Sequence, residues 1–151
     1  MINIKLDPKP ISISIRYNGY FKLVLLLAII KNCGMAKKVN LELIHIVFWS
    51  LRNEINYKVL LDLSKQLRTK LVPWTFEHGI EAVLSLGFVN DYIERTIVTQ
   101  TLEIKITNKG EQILESVQKY ELFQEEIEKI KALGKIPKSR LQAANKSWSL
   151  M

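Results

Sequence analysis

Residues 74–110 read WTFEHGIEAVLSLGFVNDYIERTIVTQTLEIKITNKG, and this stretch decides the fold. The first part has the spacing of a helix, with Phe76, Ile80, Val83 and Leu84 on one side. Pro73 suits the first turn of that helix, and Gly79 inside it costs about 1 kcal/mol against alanine, which a closely approaching neighbour helix would explain. Gly87 is the expected stop, where a chain most readily turns left-handed. Phe88 to Ile93 can begin a strand. Leu102, Ile104 and Ile106 then alternate with Glu103 and Lys105, the period of a half-buried strand. Thr107, Asn108, Lys109 and Gly110 open another helix. A helix leading into a two-stranded hairpin and on into a helix is the outline of a winged helix, with the hairpin as the wing.

Upstream, Ile4 to Tyr17 contains Pro8 and Pro10 and then ISISIRY. Ile11, Ile13, Ile15 and Tyr17 alternate with Ser12, Ser14 and Arg16, so a short edge strand is expected there. Tyr20 to Cys33 is apolar nearly all round, as a central helix would be, with Gly34 as its stop. Asn40 is a good N-cap for a helix that turns Leu43, Ile44, Val47, Phe48 and Leu51 inward. Asn56 is expected to cap the next helix, with Val59, Leu60, Leu63 and Leu67 inward and Lys58, Lys65 and Arg68 outward. Residues 69–73 read as a loop.

Downstream, Asn108 to Leu133 reads as one long helix or two joined ones, with Ile113, Leu114, Val117, Phe123, Ile127 and Ile130 as its stripe. Glu115–Lys119 and Glu125–Lys129 are spaced as favourable i,i+4 pairs. Gly134 and Pro137 end it. From Lys138 the chain is polar and basic without a repeated apolar face, and Trp148 is its one evident anchor. The expectation is an α+β winged-helix domain with an N-terminal strand and a long C-terminal helix. It divides into an arm (1–19), the domain (20–134) and a basic tail (135–151).

The 151 residues suffice for one domain, and 48% hydrophobic content is enough for a core. Cys33 stands alone, so no internal disulfide can form. The apolar run Leu23 to Ile30 is eight residues, far short of the roughly 20 a membrane span needs. It follows Asp7 and two prolines rather than a short basic leader, so a cytoplasmic protein with no membrane partner is expected. The net charge of +7 is uneven: residues 1–39 carry +6, 40–106 carry −1 and 107–151 carry +2.

Catalytic and metal chemistry find no footing. There is no phosphate loop, no nucleophile elbow and no His/Cys pair, and His45 and His78 lie in separate segments. Each histidine reads as a packing residue, so no enzyme activity, cofactor or metal is expected. DNA reading needs Arg, Lys, Asn or Gln on the outer face of the helix before the wing. The helix expected over 74–86 has none, and it carries Glu77 and Glu81, which phosphates repel. Basic clusters lie elsewhere, at Lys37–Lys38, at Lys65, Arg68 and Lys70, and at Lys135, Lys138, Arg140 and Lys146. These are candidate contacts to DNA or to a partner, or solvated surface. The wing offers Ile93, Ile97 and Val98 as a candidate apolar docking surface, unless they cover the domain's own core.

Three segments, FKLVLLLAII, PWTFEHGIEAVLSLGFV and LEIKITNKGEQIL, resemble the middle component of bacterial ABC-three component systems, the group that includes Lamassu-like defence against phages and plasmids. The likeness spans about Phe21 to Leu133. The second and third segments are also common in winged-helix transcriptional regulators. The resemblance implies a small non-catalytic adaptor between an SMC-like or ABC-type ATPase and an effector such as a nuclease, contacting DNA non-specifically through the complex. The alternative is a DNA-binding regulator. A regulator alone should bind duplex DNA with steep salt dependence, and a pure adaptor should bind little alone.

Overall fold

A computed structural model describes residues 19–149. The strand expected over Ile11–Tyr17 and the side chain of Trp148 lie outside the described residues. The chain is α+β. Its order is α1 (Gly19–Cys33), β1 (Lys38–Val39), α2 (Leu41–Ser50), α3 (Glu54–Ser64), α4 (Ile80–Val89), β2 (Ile93–Val98), β3 (Thr101–Ile106), α5 (Asn108–Lys119), α6 (Gln124–Leu133) and α7 (Lys138–Ser149). The strands form one antiparallel sheet in the order β1-β3-β2. No helix among the described residues is long and apolar enough to cross a membrane.

The helix at 19–33 is central, as its all-round apolarity requires. Every residue from Phe21 to Ile30 is buried, and the helix meets α2, α4, α5, α6 and β3. Asn40 caps α2, its Oδ1 accepting from the Leu43 amide at 2.9 Å. The next cap is Asn53 rather than Asn56: Asn53 takes the Asn56 amide at 2.8 Å, while Asn56 itself donates to the Trp49 carbonyl. Leu67, expected inward, is exposed, because α3 has already ended at Ser64.

The decisive stretch is displaced from its expected position. Residues 71–77 are not helical, and Phe76 is exposed rather than buried. The helix begins at Ile80, after Gly79 takes a left-handed φ of 81°. It runs through Gly87 and stops at Asn90, and Asp91 makes the left-handed turn with a φ of 61°. Gly87 is there for closeness: a Cβ would sit 2.8 Å from Cδ1 of Ile93. The hairpin pairs Ile93 with Ile106, Arg95 with Ile104 and Ile97 with Leu102. Thr107 caps α5, accepting from the Gly110 amide at 3.0 Å.

There is no single long C-terminal helix. Glu121 and Phe123 take left-handed φ values of 59° and 54°, and the chain turns into α6. Phe123 meets Phe21 edge-on at 4.9 Å, so burying the stripe on α1 requires the break. Lys129 pairs with Glu54 of α3 at 2.7 Å. Gly134 ends α6. The stretch read as a polar tail is helix α7, which buries Leu141 and Ala144.

Candidate functional surfaces

The chain just before α4 is held by a buried charge cluster. Glu77 receives Lys22 of α1 at 2.9 Å and Arg52 at 3.2 Å. Lys22 also donates to the His78 carbonyl at 2.8 Å, and Arg52 to the Phe76 carbonyl at 2.9 Å. The Glu77 amide donates to Nδ1 of His45 at 3.0 Å. Burial raises the Glu77 carboxyl, but hydrogen bonding and charge from Lys22 and then Arg52 outweigh it, and the net shift is downward. Glu77, expected as an outward charge on the helix, is instead buried in the loop before it. His45 packs as expected, its ring 4.7 Å from Phe76, and burial lowers its pKa.

This clamp fixes the outer surface of α4. Glu81, Ala82, Ser85 and Val89 are exposed, and the helix carries no Lys or Arg. An open, mainly apolar trough of about 730 Å³ lies against it, lined by Lys22, His78, Ala82, Ser85, Leu86 and Val89. The Lys22 ammonium is already engaged with Glu77 and His78, so the trough offers apolar contact more than charge.

The hairpin extends the same character. Ile93, expected on a docking surface, is buried at 2% exposure, because with Ile104 and Ile106 it seals the sheet against the core. Ile97 is 72% exposed, and Val98 is exposed too, to a lesser extent. Leu102, read from its alternation as inward, is also exposed. It lies opposite Ile97 on the face that Ile93 and Ile104 bury lower down. The apolar stripe thus continues beyond the end of the core. Arg95, on the same face, stacks over Phe88 at 4.7 Å. Thr99 and Gln100 at the tip take left-handed φ values of 51° and 63°.

The basic residues are redistributed. Arg140 of α7 donates to the Ser64 carbonyl at 3.2 Å, beside Lys65, and Arg68 donates through Nε to the Lys70 carbonyl at 2.7 Å. The Leu71 amide meets the Ala144 carbonyl at 3.4 Å, and Trp74 donates to Asn145 at 2.7 Å. Arg140 therefore joins Lys65, Arg68 and Lys70. Lys135 instead donates to the Lys31 carbonyl at the end of α1. Lys138, at the start of α7, is near Glu42: burial raises that carboxyl's pKa overall, against smaller lowering effects of the Asn145 hydrogen bond and then the Lys138 charge. Lys146 is at the far end of α7. Of the third pair, Lys37 is bound to Glu111 at 3.0 Å, and Lys38 is in β1.

Among the described residues, no group of three or more His, Cys, Asp or Glu is placed to hold a metal. Burial pushes the Cys33 thiol up to about 12, which keeps it protonated, and it donates weakly to the Ile130 carbonyl. No family model, curated protein or solved structure matches this chain.

Proposed function

We propose that the chain is a non-catalytic winged-helix adaptor, the cytoplasmic subunit that joins an SMC-like or ABC-type ATPase to an effector in anti-phage or anti-plasmid defence. The element order, with a hairpin after α4 and β1 beside β3 in a three-stranded sheet, accords with a winged helix. One observation carries the docking role. Where a DNA reader would present cations to the major groove, α4 presents Glu81, Ala82, Ser85 and Val89 beside an apolar trough, and the hairpin adds Ile97 and Leu102. Exposed apolar area with few charges suits a protein partner. The identity of that partner rests on the resemblance of the sequence between Phe21 and Leu133.

The test is a tagged pull-down from the native host after nuclease treatment, read by mass spectrometry. An SMC-like ATPase should remain bound to the wild type. It should be lost from an Ile97→Asp/Leu102→Asp variant whose melting temperature is unchanged. If the ATPase is absent, or leaves when nucleic acid is digested, the adaptor reading fails and a DNA-binding regulator takes its place.

A further inference from the structure

The apolar surface leaves unexplained why this basic chain keeps an unbalanced charge on another side. Residues 63–76 contain Lys65, Arg68 and Lys70 and no Asp or Glu; residues 135–149 contain Lys135, Lys138, Arg140 and Lys146 and no Asp or Glu. The structure sets these two acid-free stretches side by side, through Arg140 on Ser64 and Ala144 on Leu71. We propose that the junction of α3 and α7 is a binding face for the phosphate backbone of duplex DNA, used without regard to base sequence.

The pairing pattern supports this. Several cations elsewhere meet carboxylates, Lys31 and Lys37 with Glu111, Lys58 with Asp62 and Lys129 with Glu54, while Arg95 and Lys109 lie over aromatic rings and Lys135 on a carbonyl. Among the described residues, none of Lys65, Arg68, Lys70 and Arg140 has an ion-pair partner. The two arginines are tied to backbone carbonyls instead. A carbonyl orients a guanidinium and leaves its charge uncompensated, while the remaining N–H groups can face a phosphate in the planar fork that suits phosphate oxygens. Four such contacts give position and affinity with no reading of bases. A lipid surface fits less well, because the exposed apolar residues of this stretch, Leu67, Val72 and Phe76, are scattered over ten positions, with Phe76 held against His45 and Trp74, and stable membrane attachment needs more apolar insertion than that.

The experiment is fluorescence anisotropy of a labelled 20-base-pair duplex with the whole chain and no partner. Four phosphate contacts predict a log–log salt slope of about −3.6, so that affinity falls about a hundredfold from 50 to 200 mM salt. Lys65→Ala/Lys70→Ala should lower the slope by about 2 and weaken binding at least tenfold at 50 mM. Both lysines are exposed, so circular dichroism and melting should match the wild type. The Ile97→Asp/Leu102→Asp variant should bind DNA as the wild type does while losing the ATPase, which separates this face from the adaptor surface and makes the chain an adaptor that also holds DNA, rather than the pure adaptor that binds little alone or a regulator with no ATPase partner. The proposal is overturned if the wild type does not bind at 50 mM, or if the double lysine variant binds equally well. Binding to phosphatidylserine vesicles without binding to duplex would also overturn it, and would assign the face to membranes.

Discussion

His45 accepts the Glu77 amide through Nδ1, so the neutral ring is the form the fold uses. Protonation at that nitrogen turns an acceptor into a donor facing a donor. The folded pKa lies below the ordinary 6.5, chiefly through burial. A depressed histidine gives stability that is full above the unfolded value and declines as pH falls through 6.5 toward the folded value. The urea midpoint of the wild type should therefore drop between pH 7.5 and 5.5 relative to a His45→Gln variant, by an amount worth about 1 kcal/mol, one hydrogen bond. Glu77 is depressed below 4.5 and loses its contribution only under that pH, outside this window. Glu42 is raised from 4.5, but it titrates in both proteins and cancels in the comparison. Parallel curves for the two would rule out the amide contact. A packing role for His45 is readable from its place on an amphipathic helix. Its partner is not, because Glu77 is 32 positions away and becomes its neighbour only when the loop folds back.

At the scale of elements, the second strand of the hairpin was legible, while the helix before it and the start of the first strand were not well placed: Phe88, expected to begin that strand, lies in α4, and β2 begins at Ile93. Strict alternation marked β3, and Thr107 with Gly110 marked the start of α5. The apolar spacing from Phe76 suggested a helix six residues too early. Tertiary ties hold the chain open there, from Arg52 to Thr75 and Phe76, His45 to Glu77, and Asn145 to Trp74. Such ties override local propensity and leave no periodic trace. Gly87 was misread as punctuation because glycine serves both as a stop and as a close-packing residue. The second role is testable. Gly87→Ala gains about 1 kcal/mol of helix propensity, but its methyl meets the buried Ile93 side chain at 2.8 Å. Overpacking of that kind costs about 1–3 kcal/mol, so the net change should be a loss of up to about 2 kcal/mol. Ile93→Val removes the Cδ1 atom and alone costs about 1 kcal/mol. Together the two should cost less than their sum, read from urea unfolding of all four proteins in a double-mutant cycle. Simple additivity would mean that the two side chains do not collide.

At the scale of the molecule, one helix apolar nearly all round organises everything, and α1 was readable because such apolarity marks a buried helix in a segment too short to span a membrane. The docking of α7 was not readable. Its buried positions are Leu141 and Ala144, preceded by Ile136, and so thin a stripe among Lys, Arg, Ser and Asn gives almost no periodic signal. The two basic segments consequently looked like separate surface runs, and only the docked helix makes them one face. This dependence gives the last expectation. Leu141 is almost fully buried, so Leu141→Ala should cost about 2–4 kcal/mol if α7 belongs to the cooperative core, and the whole chain should melt earlier in one transition. Were α7 a loosely held tail, the same change would leave the melting curve in place. Under conditions where the variant remains folded, a loosened α7 should also carry Arg140 away from Ser64 and weaken duplex binding, while partner capture through Ile97 and Leu102 persists. Loss of both activities together at a temperature well below the melting transition would mean that the two surfaces are coupled through the core, rather than independent faces of one scaffold.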